Sequence, residues 1–492
     1  AVKINVPRQV FLNLKSKDLP DIEVDGCHVE QVYHTLPNGH SSVHLFKLTV
    51  PEEIYFAEAE KFSLLFNHPS VEGVYEKQIP LNLRAVLQLG NTCTIDESQP
   101  GVLGKGLEQG FDLSGLKRPE KPKPYLENAR MAYIYLSHIS AGERQIFGLF
   151  SSTGEHAHII IQQKNRDGGQ DMPNVGKIYA DYLARRRSEG VEGWQECFPY
   201  QDKLNFKITQ VTTRRKAFLE VGDVVKKMKK EESGPTMMVI QSSQRNLLVH
   251  EIPILGEFPV LPLQYDQADS SLPPLGWQTV AARRLVNHYL SLGSWITHLT
   301  ALARYGDVPL CNLEKDDPRF LIDVAYARRL QANNVVLWWS PSPRPDHAGY
   351  EKDDVAGPLD QVQMPSVNNP GTYASVCIDL EVRNLAINTI LTSSLINELE
   401  GAESISFNPA ADSSSCGEGN EVLYAENTFA NAAVQVLREM VKSWWAEACK
   451  GSTMADVMVQ HLVRWVESPA SCLYDRALHY YVQMMSRKAL LQ

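Results

Sequence analysis

Three apolar runs joined by short turns constrain the fold of this chain more than any other feature. RMAYIYLSHI (130–139), RQIFGLFSS (144–152) and EHAHIIIQQK (155–164) are rich in β-branched and aromatic residues and read as a strand meander. TRRKAFLEVGDVVKKMKKEE (213–232) then puts Phe218, Val221, Val225 and Met228 on one helical stripe. TMMVIQ (236–241) suits a strand buried on both faces. RNLLVHEIP predicts a short helix, FPVLPLQY (258–265) another strand, and WQTVAARRLVNHYLSLGSWITHLTALARY (277–305) a long helix. A meander followed by alternating helices and strands implies a mixed α/β and α+β architecture.

The remainder is organised by breaks. The 492 residues give room for about two to four domains. LKRPEKPKPY (116–125) reads as a linker, KNRDGGQDMPNVG (164–176) as a polar loop, 340–371 as a long loop, and NPAADSSSCGEGNE (408–421) as low-complexity sequence. The C-terminal third is helical. TFANAAVQVLREMVKSWWAEACKG (428–451) carries an apolar stripe and ends at Gly451, a C-cap. STMADVMVQHLVRWVES follows, with Thr453 and Asp456 placed as a capping pair and Pro469 as its stop.

Composition narrows the function. A formal net charge of −10 argues against a broad electrostatic footprint on DNA, though a local basic groove is compatible with it. The 8 cysteines are scattered, with no C-x-x-C pair, which argues against a zinc site and suggests a reducing, intracellular setting. The chain opens AVKINVPRQV, without an initiator Met, a secretory signal or a membrane-spanning run; no membrane role is expected, and it reads as a piece of something longer.

Several constellations invite a chemical reading. In SVCIDLEVRNLAINTI (375–390), Asp379 and Glu381 share one face of a strand that runs into a helix. They are either a cation-binding pair or the polar face of a half-buried strand, and spacing alone favours the second. ARYGDVPLCNL (303–313) has Pro309 where a polymerase hairpin needs its second acid, so it reads as a helix end turning at Gly306. His156 and His158 share a strand face but have no third ligand nearby. The glycines of GKGLEQG (104–110) miss dinucleotide spacing, and the G-x-x-G-K-G at 101–106 lacks the Ser/Thr of a phosphate loop. KKMKK (226–230) and ARRRSEG (184–190) read as solvated faces, with weak contact to a DNA backbone as the minor reading. Trp338 and Trp339 could stack on bases, but packing before the long loop is the commoner role.

These elements together resemble family B DNA polymerases. RRLQANNVVLWWSPSPRPDHAGYEKDD (328–354) and CIDLEVRNLAINTI look very like the non-catalytic C-terminal half of the largest subunit of eukaryotic DNA polymerase epsilon, a second and decayed family B module. The resemblance implies an N-terminal domain over 1–120, an inactivated ribonuclease-H-like exonuclease domain over 125–339, a linker over 340–371, and a degenerate palm strand with fingers-like helices over 372–492.

Residue by residue, the resemblance implies lost chemistry. Active members carry D-x-x-S-L-Y-P-S-I-I, which falls here on E-V-R-N-L-A-I-N-T-I. Glu381 stands for the metal-binding Asp, Ala386 for the sugar-discriminating Tyr, and Asn384 and Asn388 for the two Ser. The fingers motif is absent from 427–492, and the final carboxylate hairpin would lie beyond it. In the nuclease part Ser137 and His138 fall where the first motif needs acids, QSSQRNLL supplies none for the second, and Asp323 is a possible leftover acid of the third. Two-metal phosphoryl transfer needs paired carboxylates. The expectation is therefore a chain that is not itself an enzyme and holds no metal or cofactor, with magnesium, zinc or iron–sulfur only elsewhere in the parent. It would be nuclear, tethering the polymerase to the CMG helicase (its GINS and MCM subunits) and to the B-subunit, with DNA contact possible but weak. The alternative is a DNA-guiding module or a weakly active nuclease or polymerase.

Overall fold

A computed structural model describes residues 3–18, 20, 24–37, 42–96, 98, 110–119, 125–126, 132–152, 155–163, 172–188, 200–231, 236–263, 265, 271–273, 275–313, 317–341, 371–376, 384–392 and 432–491. It is a mixed α/β chain, as expected, and divides into two compact units: Pro119–Lys315, and Lys3–Arg118 together with Asp316–Gln492.

The N-terminal segment begins with β1 (Ile4–Asn5), β2 (Arg8–Leu14), β3 (His28–Val32) and β4 (Leu45–Val50), then helices α1 (Glu52–Ala57) and α2 (Ala59–Phe66), β5 (Val71–Tyr75) and α3 (Leu81–Leu89). Short strands β6 (Thr94–Ile95), β7 (Phe111–Asp112) and β8 (Leu116–Lys117) follow. An antiparallel sheet orders these as β3-β4-β2-β5. Because strand side chains alternate, β2 feeds two cores. Val10, Leu12 and Leu14 meet Phe62 and Leu65 of α2, while Phe11 meets Leu36, Tyr75 and Val336.

The other unit is built on β9 (Ala132–Ala141), β10 (Arg144–Ser151) and β11 (His156–Gln162), then α4 (Val175–Ser188), β12 (Asn205–Val211), α5 (Arg214–Glu231), β13 (Thr236–Gln241), α6 (Arg245–Glu251), β14 (Val260–Leu263) and α7 (Trp277–Tyr305). The six strands run in the order β12-β11-β10-β9-β13-β14. β9, β10 and β11 are the expected antiparallel meander, and β12, β13 and β14 join in parallel. Each element read between 130 and 305 is present. α4 and β12 were not foreseen: α4 buries only Val175, Tyr179 and Leu183, and its first two residues lie in the stretch read as a loop.

Helices cover both faces. Ala217, Phe218, Val221, Val225 and Met228 of α5 pack on Ile134, Leu136, Phe147 and Leu149. On the opposite face Tyr289 of α7 stacks on Phe150 with ring centroids 4.2 Å apart, with Tyr200 edge-on at 5.2 Å. Gly148 permits this approach, because a Cβ there would stand 3.1 Å from Leu285 of α7 and from the Phe150 ring. Gly148→Ala should therefore lower the denaturation midpoint, costing about 1–3 kcal/mol through overpacking.

At the end of α7 the chain turns through Asp307, not Gly306: Asp307 has φ 50°, Gly306 stays right-handed, and Val308 N donates to Ala303 O at 3.0 Å. This is the six-to-one bond of a Schellman turn, which requires one left-handed residue.

The chain then returns to the first unit with α8 (Asp317–Ala332), α9 (Leu385–Thr392), α10 (Ala432–Cys449), α11 (Thr453–Glu467) and α12 (Arg476–Leu491). The expected span 125–339 is thus divided, since 316–339 belongs with 3–118 and the C-terminal helices. The reason is visible in the contacts. Val336 enters the Phe11 core, Arg328 donates to the carbonyls of Val86 at 2.7 Å and Leu87 at 3.3 Å at the end of α3, and Tyr326 meets Trp465 edge-on at 5.7 Å. Gly451 takes the left-handed conformation expected after α10 (φ 93°). The cap of α11 is Ser452, whose Oγ accepts from Ala455 N, one residue ahead of the expected Thr453. Trp338 is core, edge-on to Tyr326 at 6.1 Å.

Candidate functional site

The residues compared with nuclease carboxylates lie where the central parallel strands β9 and β13 run side by side, with Ser137 paired to Gln241. Open α/β sheets place their sites at such carboxyl ends. Here every polar group is neutral. Ser137, His138, Gln241 and Ser242 are all buried. Tyr135 Oη donates to Gln241 Oε1. Ser242 Oγ lies 2.8 Å from His138 Nδ1 and accepts from Gln244 N at 3.0 Å. The Gln244 amide leaves the hydroxyl proton available to Nδ1, an arrangement compatible with the neutral Nε2–H tautomer.

Ser137 and His138 do not form one site. Adjacent strand residues face opposite sides. His138 lies on the α5 side, stacked on Phe147 at 4.5 Å, whereas Ser137 shares its face with Tyr135, which stacks on Tyr289 of α7.

The His138 pKa is pushed down to about 4: burial is the main cause, Gln145 beside the ring opposes it, and the Arg214 charge adds a smaller lowering. The histidine is neutral near neutrality and carries no charge to a ligand. In the unfolded chain it titrates near 6.5, so between pH 6.5 and 4 the unfolded state binds more protons. The Pro119–Lys315 unit should therefore lose stability as pH falls through that window, by about 3 kcal/mol at pH 4. His138→Phe should abolish this component while keeping the stack, which hydrogen exchange of the β9 amides against pH can measure.

Asp323 is far from a vacant ligand. It lies on α8 in the other unit, fully buried. Its Oδ1 accepts from Trp465 Nε1 at 2.7 Å and Leu473 N at 3.3 Å, and its Oδ2 from Cys472 N at 2.9 Å. Burial raises its pKa to about 6 against the pull of these donors. The carboxylate closes a turn between helices. Ala386 is buried in α9 beside Ile387 and Ile390, Asn388 is exposed on the same helix, and Asn384 stands before it with φ 59°. Glu381 and Asp379 lie outside the described residues, as do 101–109 of the glycine-rich stretch.

The remaining candidates are engaged elsewhere. His158 pairs across the sheet with Lys207; burial, and then the Lys207 charge, lowers the imidazole pKa, and that charge opposes a cation. Lys229 pairs with Glu257 and Lys226 with Asp223. Among the described residues no three His, Cys, Asp or Glu side chains converge on a metal position, and no helix is long and apolar enough to cross a membrane. Cys27, Cys93, Cys311, Cys449 and Cys472 are free thiols. Sequence reasoning missed Tyr135, which donates to Gln241 on the α7 face, and Gln145, beside the His138 ring on the α5 face. For Tyr135 the alternation of Tyr133, Tyr135 and Ser137 through AYIYLSHIS was the available signal.

A family described as a domain of unknown function, DUF1744, matches residues 175–492. The chain belongs to the DUF1744 family. The matched span begins at the first residue of α4 and takes in α5, β13, the neutral Gln241–Ser242 pair and Asp323. Over its whole length the DUF1744 chain also matches one segment of the catalytic subunit of DNA polymerase epsilon. Identity is 61% over 494 residues to that of Emericella nidulans, 62% over 492 residues to that of Aspergillus fumigatus and 33% over 502 residues to that of Saccharomyces cerevisiae. The chain spans 22% of the length of each. The resemblance to a segment of that polypeptide, read from the sequence, is borne out.

Proposed function

We propose that this DUF1744 chain is a non-catalytic scaffold module of the leading-strand replicative polymerase epsilon, a decayed family B body that tethers the polymerase to the CMG helicase and supports assembly with the B-subunit in the nucleus. The observation that carries the reading is that the buried polar residues along β9 and β13 at these positions, Ser137 and Gln241 on one face and His138 with Ser242 on the other, are all uncharged, where the resemblance places the carboxylates of a nuclease. A hydroxyl, an amide and a neutral imidazole cannot hold two divalent ions or neutralise the charge developing on a phosphorane.

The order of strands and helices from β9 to α7 supports a ribonuclease-H-like ancestry for the Pro119–Lys315 unit. Full-length similarity to the catalytic polypeptides of DNA polymerase epsilon supports the replisome setting. A body freed from catalysis can give its surface to partners. Phe56 of α1 and Leu64 of α2 are 65% and 75% exposed, the kind of apolar surface that protein contacts cover.

Magnesium-dependent exonuclease and primer-extension assays should give no turnover with the purified chain, and a pull-down with purified GINS and MCM subunits should retain it. Metal-dependent turnover abolished by Glu381→Ala would instead establish the weakly active enzyme, as would its loss in an Asp323→Asn protein whose urea midpoint is unchanged.

A further inference from the structure

A concave cleft of about 440 Å³ opens between α4 and α7, lined by Tyr182, Arg185, Arg186, Arg283, Arg284 and Asn287. Four guanidinium groups converge there, and none of the described lining residues is acidic. Arg186 and Arg284 are half-buried at the floor, while Arg185 and Arg283 are exposed at the rim. The floor is built in place: Arg186 donates to Ser291 Oγ at 2.6 Å and Asn287 Oδ1 at 3.3 Å, and Arg284 donates to the Ser271 carbonyl at 2.7 Å. These three acceptors are uncharged, and they orient the guanidinium planes. Arg187, next in the chain and outside the cleft, is paired with Asp202.

Compensation of the α4 dipole accounts for arginines in its last turn, but not for Arg283 and Arg284 in the N-terminal half of α7. Four guanidinium groups in one concavity make a local positive potential that attracts an anion. Guanidinium forks match phosphate oxygens bidentately.

The geometry points to an anion-binding cleft that takes a phosphorylated, acidic peptide segment of a partner protein. A nucleic-acid strand fits less well. It needs a basic track with successive aromatic platforms, whereas this cleft is short and holds one aromatic ring, Tyr182. A net charge of −10 also opposes a long polyanion, but leaves a compact dianion free to enter a local positive well. Arg clusters serve phospho-motifs in this way. The inference is independent of the assembly reading, since it concerns a different surface and requires no helicase.

Fluorescence anisotropy of the full chain tests it with three probes: an acidic phosphoserine peptide, its unphosphorylated twin, and a single-stranded thymidine oligonucleotide. The phosphopeptide should bind about tenfold or more tightly than its twin, as one or two charge-assisted hydrogen bonds dictate. Arg186→Gln with Arg284→Gln should remove that preference. Arg185→Gln with Arg283→Gln, both at exposed positions, should weaken it several-fold, with circular dichroism confirming that each variant is folded. Equal binding of the two peptides, no binding of any probe, an affinity unchanged in both variants, or tighter oligonucleotide binding lost in the same variants would each overturn the proposal.

Discussion

Replacing Asp323 with Ala is expected to destabilise the protein by about 3 kcal/mol at pH 7, and by more below pH 5. Three buried N–H donors, Trp465 Nε1, Cys472 N and Leu473 N, would lose their carboxylate acceptor. Each orphaned donor costs about 1–3 kcal/mol. Against this stands the desolvation of the carboxylate itself, which lifts its pKa to about 6 from an ordinary value near 3.9. The folded state therefore binds more protons than the unfolded state between about pH 4 and 6. The contribution of Asp323 is full below that window and falls as pH rises through it, by about 3 kcal/mol in total. The sign is opposite to that of His138. Asp323→Asn should flatten the dependence and leave one N–H facing an amide NH2. Urea unfolding of the three proteins at pH 4.5 and 7 measures both effects; equal midpoints for wild type and Asp323→Ala would refute the account.

The Glu76–Arg84 pair is expected to be as sensitive. Both side chains are almost wholly buried and meet at 3.0 Å. Arg84 also donates to Gln9 Oε1 at 2.7 Å and to the Gln9 carbonyl at 3.2 Å, while Glu76 Oε1 accepts from Leu337 N at 3.0 Å. The pair thus joins β2, α3 and the segment after α8. Arg84→Ala leaves a buried carboxylate without its cation and should cost about 3–5 kcal/mol. Glu76→Ala should cost a similar amount, reduced by what relaxation of the left-handed Glu76 backbone recovers, and only if that backbone moves. Replacing both with apolar residues should cost much less than the two single changes together, because the desolvation of both charges is then removed. A double-mutant cycle read by urea midpoints decides it. Additive effects would mean the ion pair carries no coupling.

Most elements from β9 to α7 were legible, because those segments carry their own period. β9 to β11 are apolar runs bounded by turns, and α5 has a wide stripe from Ala217 to Met228. α4 was not legible, since a stripe of three buried residues followed by three arginines resembles a solvated tail. β12 was not legible either, as an edge strand with Phe206 and Ile208 set among polar residues. The absence of acids at 137–138 and 241–248 could be read directly from residue identity. That Ser137 and His138 face opposite layers needed only strand alternation. The four-arginine cleft could not be read, because Arg185–Arg186 and Arg283–Arg284 are about a hundred residues apart and meet only where α4 packs on α7.

Local sequence, then, determined which segments are helix or strand and which side chains could bind a cation, because periodicity and chemical identity are properties of the segment itself. Tertiary structure alone decided that α8 leaves the expected nuclease span for the N-terminal unit, that Asp323 closes a turn between helices, and that four distant arginines share one concavity. Those outcomes depend on which buried surfaces and hydrogen-bond donors find each other across long stretches of chain, and no window of sequence records that pairing.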